Sequence, residues 1–83
     1  MKFFNISDVR AFFERVLRCQ GRVGSIESDG SERDLKRIAR DMLASGMADR
    51  IGLIRQIDLR IEKPADKGLL LNFAMEMQDR RAS

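Results

Sequence analysis

Residues 51–77 read IGLIRQIDLRIEKPADKGLLLNFAMEM, and most apolar side chains in this stretch occupy odd-numbered positions. A period of two is typical of strands that bury one face. The two apolar runs are separated by residues 63–68, a turn-type segment with one proline and a final glycine. The stretch therefore predicts one long β-hairpin over residues 51–78. Its apolar odd positions are Ile51, Leu53, Ile57, Leu59, Ile61, Leu69, Leu71, Phe73, Met75 and Met77.

The register of this hairpin follows from placing the apolar side chains on one face. Ile61 then faces Leu69 and Ile57 faces Phe73, while the other face is mostly polar. A helix over residues 69–77 is disfavoured, because at about 100° per residue its apolar side chains spread around the whole circumference. For residues 47–55 a second interpretation stays open, in which a short helix over residues 48–54 precedes a strand over residues 56–62.

Two earlier segments have the spacing of amphipathic helices. Ser7 is the predicted N-cap of the first, and Ser31 with Asp34 forms a capping-box variant before the second, which ends at Gly46. Residues 2–6 predict a short strand joining the sheet, and residues 23–28 at best an edge strand. The apolar helix positions are Val9, Phe12, Phe13, Val16 and Leu17, then Leu35, Ile38, Ala39, Met42 and Leu43.

These elements predict a single α+β domain over residues 1–83. Two amphipathic helices pack on one face of a small antiparallel sheet that is built around the long C-terminal hairpin. Residues 79–83 form a polar tail that is expected to fray.

Composition limits the chemistry that this chain of 83 residues can perform. One cysteine and no histidine exclude an intramolecular disulfide and a Cys/His metal cluster. The glycine-rich residues 21–30 lack the Lys-Ser/Thr ending of a phosphate loop, and no pair of carboxylates is singled out by its spacing. We therefore expect a cytoplasmic protein without enzymatic activity, cofactor or membrane segment, in which Cys19 is partly buried and inert.

Basic residues provide the best candidate contacts. The second helix carries Arg33, Lys36, Arg37 and Arg40 at positions i, i+3, i+4 and i+7, which places four cations on one exposed stripe. Lys63 and Lys67 flank the hairpin turn. These six residues are predicted to contact a partner or a phosphate group; the alternative is an ordinary solvated surface.

Two functions fit these features. The first is a small regulatory or inhibitory protein that binds another protein, as the accessory proteins of phages and plasmids do, and that forms a homodimer or adds a partner's strand through the hairpin. The second comes from element order, because residues 7–78 resemble winged-helix proteins, in which a basic hairpin follows a helix-turn-helix. This resemblance implies a DNA- or RNA-binding regulator with Lys63 and Lys67 on the backbone, and Phe3 is the aromatic ring expected to be exposed.

Overall fold

The computed structural model describes the backbone of residues 1–82 and the side chains of residues 1–77. Within these residues the chain is an α+β fold with a four-stranded antiparallel sheet and three α-helices. The elements are β1 (Lys2–Ile6), α1 (Val9–Arg18), β2 (Val23–Ile26), β3 (Glu32–Asp34), α2 (Leu35–Ala44), a 3-10 helix (Met47–Asp49), β4 (Ile54–Ile61) and α3 (Pro64–Ala82).

The strand order in the sheet is β1-β4-β2-β3. In the central strand β4, Ile57 lies opposite Phe3 of β1, and Ile61 lies opposite Val23 of β2. The predicted strand over residues 2–6 is confirmed. A strand does form within residues 23–28, as β2, but the prediction that it lies at the edge of the sheet is wrong. β2 pairs with β3 on one side and with β4 on the other, and β1 and β3 form the edges.

Both predicted helices are confirmed, but their N-caps lie one and three residues later than predicted. Asp8 rather than Ser7 caps α1, where its carboxylate accepts from the N–H of Ala11. Asp34 rather than Ser31 caps α2, because the residues before it pair with β2 in extended conformation.

The second arm of the predicted hairpin is wrong, since α3 occupies it. Pro64 at the first helical position and Asp66 in the first turn are helix-start signals, and they outweigh the turn reading of the same residues. The side chains of Asp66, Leu70, Phe73 and Met77 are buried, at a spacing of i, i+4, i+7 and i+11. The additional apolar residues Leu71 and Met75, which obscured this stripe in the sequence, are exposed.

The first arm of the predicted hairpin is a strand over residues 54–61, whereas residues 51–53, which were predicted to belong to it, lie outside β4. Leu59 and Ile61 of β4 are buried beneath the helices, whereas Gln56 and Arg60 point to the other face and are exposed. The helical interpretation of residues 48–54 is reduced to the single 3-10 turn Met47–Asp49.

The three helices share one hydrophobic core on one face of the sheet. Phe12 is completely buried at its centre, with ring centroids of Phe3, Phe13 and Phe73 within 6.3 Å. No helix among the described residues is long and apolar enough to span a membrane. The predicted fraying of residues 79–83 lies outside the described side chains and stays a prediction.

Candidate functional site

The outer edge of β1 has no strand neighbour among the described residues. Met1 and Leu59 exchange both backbone hydrogen bonds, at 2.7 and 3.0 Å. Because antiparallel pairs alternate, Phe3 is expected to repeat this arrangement with Ile57, and the backbone N–H and C=O of Phe4 then point to the open edge. Among the described residues no strand pairs with these two groups of Phe4, so they are open to a further strand.

A groove of about 290 Å³ runs between β1 and α3, and we call it the β1 groove. Its most exposed apolar side chains are Phe4, which is 60% exposed, and Leu71, which is 46% exposed. Phe3, predicted to be the exposed ring, is instead buried in the core. The lining residues are Lys2, Phe3, Phe4, Asn5, Ile6, Leu71, Phe73, Ala74 and Met77.

Backbone conformation at Asn5 explains why Phe3 and Ile6 face the same side of β1. Asn5 has φ of +55°, in the left-handed region that asparagine tolerates better than most residues. This twist interrupts the period of two, so that Phe3 and Ile6, three positions apart, both point into the core. Phe4 directly follows Phe3 and lies on the opposite side of the strand by ordinary alternation, where its side chain is exposed.

Asp66 fixes the start of α3 against the end of α1. Its two carboxylate oxygens accept from the backbone N–H groups of Gly21, at 2.8 Å, and Gln20, at 3.0 Å. These two N–H donors lower the pKa of Asp66, against the effect of burial, and nearby Lys36 and Lys63 act in the same direction. The contact brings residues 20–22 next to the turn that precedes α3.

A second concave surface, of about 400 Å³, lies at this junction, and we call it the basic cleft. Residues 20–22, the first turns of α2 and the turn between β4 and α3 form its walls. Of its seven charged residues, five are cationic: Arg22, Lys36, Arg37, Arg40 and Lys63.

Most of these cations form no ion pair with another described residue. Among the described residues Arg22, Arg37, Arg40 and Lys63 form no ion pair, and Asp34 in the same wall is occupied by the N–H groups of α2. Lys36 differs, because its Nζ donates to the carbonyl of Cys19 at the end of α1. Four cationic side chains are therefore left for solvent or a ligand.

The structure brings together four of the six predicted contact residues. Lys36, Arg37, Arg40 and Lys63 line the basic cleft. Arg33 belongs to β3 rather than α2, and its Nε lies 3.3 Å from a carboxylate oxygen of Glu27. Lys67 lies in α3, outside the residues that line the cleft, and the hairpin turn that it was predicted to flank does not exist.

Sequence reasoning missed Arg22. It lies in the segment between α1 and β2, with no helical spacing to relate it to Arg37 or Arg40. Only the folding of that segment onto the start of α3 places it in the cleft, so no local signal identified it.

Cys19 offers no reactive thiol at the surface. Its side chain was predicted to be partly buried and is in fact almost completely buried, and this burial raises its pKa, so the nucleophilic thiolate form is disfavoured.

Comparisons with family models, curated proteins and solved structures find no match to this chain, so the geometry of the two surfaces is what bears on function.

Proposed function

We propose that this protein is a small non-enzymatic regulatory or inhibitory protein that acts by binding an extended segment of another protein along β1. The observation that carries the proposal is the open edge of β1 beside an apolar groove. In strand addition, main-chain hydrogen bonds supply affinity, and pockets for alternate side chains supply specificity. Both parts are present in the β1 groove.

The chemistry of the groove favours an extended apolar segment as the occupant. Open main-chain groups at Phe4 suit an incoming strand, which would continue the antiparallel sheet on its free side. Alternate side chains of that strand would lie against Leu71 on the side of α3, and the others would lie against Phe4 on the opposite side of the sheet, so exposed apolar surface is available for burial on both sides. A segment held in this way is unavailable to its other partners, and this is how a binder without catalytic groups inhibits.

A displayed library of linear peptides, selected on the folded protein, tests the proposal. We expect selected peptides to alternate apolar and polar residues. Phe4→Pro removes the N–H that points to the open edge and should abolish binding of a synthetic selected peptide. Phe4→Ala keeps that N–H, and loss of the ring should weaken binding about tenfold, as for an interface residue worth just over 1 kcal/mol.

Met47→Ala is the matched control, because Met47 is also exposed, at 43%, and does not line the groove. Its peptide affinity should equal that of the wild type. Circular dichroism verifies the fold of each variant, and Phe4→Asp replaces Phe4→Pro if the proline variant does not fold.

Two results would overturn the proposal. One is a selected peptide that binds equally well to wild type and to the folded Phe4 variants. The other is a wild-type protein that is a homodimer by light scattering while the Phe4 variants are monomers, because a second copy would then occupy the edge of β1.

A further inference from the structure

The basic cleft carries an inference that is independent of the β1 groove, with which it shares no lining residue. We infer that the cleft binds the phosphate backbone of a nucleic acid without reading its bases. Five cationic side chains from three separate segments meet there, opposed by only Asp34 and Glu62, which leaves a local surplus of three positive charges.

The arginines of the cleft are available to an anionic ligand. A solvated surface in a protein with 13 acidic residues normally pairs some of its cations, as Arg10 does with Asp49 and Arg15 with Glu76. Arg22, Arg37 and Arg40 form no such pair among the described residues. An arginine guanidinium presents paired N–H donors that match two phosphate oxygens, so three unpaired arginines in one cleft favour phosphate.

The side chains that line the cleft distinguish a nucleic acid from other anionic ligands. The lining contains no aromatic and no large apolar side chain. Protein interfaces are normally anchored by such residues, and small-molecule sites are mostly apolar, whereas surfaces that bind nucleic acid are polar and strongly positive. Without a ring on which a base could stack, contacts to the backbone dominate.

Local structure holds the cleft open in this form. Asp66 ties residues 20 and 21 to the start of α3, and Lys36 ties the end of α1 to α2. Gly21 lies at the centre of this junction, where a Cβ atom would come within 2.7 Å of Lys63 Cγ. These contacts fix the relative positions of the backbone segments from which the cationic side chains extend.

Fluorescence anisotropy with a labelled 25-base-pair DNA of random sequence tests the inference. Four phosphate contacts predict a log-log salt slope of about −3.6, which corresponds to a roughly 150-fold loss of affinity between 50 and 200 mM salt. Replacing both Arg37 and Arg40 by glutamine should reduce the slope by about 1.8, because two contacts are removed.

A charge-matched pair of variants separates the cleft from the net charge of the chain. Arg37→Glu with Arg40→Glu changes the charge by the same amount as Arg50→Glu with Arg55→Glu, whose arginines are exposed and outside the cleft. We expect the cleft variant to bind at least tenfold more weakly than the control variant. Phe4→Ala should leave DNA binding unchanged, so this inference and the proposed function fail separately.

Three outcomes would overturn the inference. The first is no binding at 50 mM salt, and the second is an equal loss in the cleft and control variants. The third is tighter binding of polyglutamate than of DNA at matched charge, which would assign the cleft to an acidic protein.

Discussion

Replacing Leu70 by alanine tests the helical register of α3. Leu70 is completely buried, whereas its neighbour Leu71 is 46% exposed in the β1 groove. The predicted hairpin requires the opposite burial, because it places Leu71 on the apolar, buried face and Leu70 on the polar, exposed face. The two alanine variants therefore give opposite orders of stability for a helix and for a strand.

The magnitude follows from burial. Truncation of a buried leucine to alanine costs the lost transfer free energy and the cavity, together about 3 kcal/mol, whereas Leu71→Ala should cost less than about 1 kcal/mol. At about 0.1 kcal/mol per residue, the 83 residues give an unfolding free energy of about 8 kcal/mol. Leu70→Ala thus removes a large fraction of the stability and should lower Tm by about 12–24 °C.

Urea unfolding followed by far-ultraviolet circular dichroism is the suitable assay, because the chain has no tryptophan or tyrosine for intrinsic fluorescence. With an m value of about 1–3 kcal/mol/M, the midpoint of Leu70→Ala should fall by at least about 1 M. If Leu71→Ala proved as costly as Leu70→Ala or more so, with unchanged m values, the helical register of residues 69–77 would be refuted.

Three further predictions concern the junction that holds the basic cleft. Asp66→Asn should destabilise the protein at neutral pH and make its stability less sensitive to acid. The lowered pKa of Asp66 contributes stability that is present above the ordinary value of 3.8 and is lost as the pH falls through the folded-state pKa. The free energy of unfolding, measured from pH 6 to 2, should therefore change less with pH in the variant. Gly21→Ala should destabilise the fold, because its Cβ would meet Lys63 Cγ at 2.7 Å. In a double-mutant cycle, Lys63→Ala should restore part of the lost unfolding free energy, and additive losses would contradict this contact. Cys19 should react with a disulfide reagent slowly in the native protein and rapidly in urea, and equal rates would show that its thiol is accessible.

The sequence was sufficient for features that depend on neighbouring residues. The apolar spacing of α1 and α2 identified both helices, and alternation identified β4, because one buried face leaves its own period in the sequence. The same local reasoning placed Lys36, Arg37 and Arg40 on one helix face, where the structure has them.

Tertiary structure decided the features that depend on distant residues. The apolar residues in 69–77 have the spacing of a strand, and some of them also have the spacing of one helix face. Contacts with residues far away in the sequence decide that this segment is a helix. Asp66 accepts hydrogen bonds from residues 20 and 21, and the guanidinium of Arg15 lies 5.5 Å from the ring centroid of Phe73. Both contacts exist only when α3 packs on α1, so no window of local sequence could weigh them.

The two candidate surfaces depend on the same long-range packing. The chain itself determined which residues are basic and which strand carries Phe4. Arg22 joins Arg40 only because α1, α2 and α3 converge, and the β1 groove exists only because α3 lies beside an edge strand. The chemistry of each side chain follows from the identity of its residue, whereas concave surfaces form where burial of the shared core brings separate segments together.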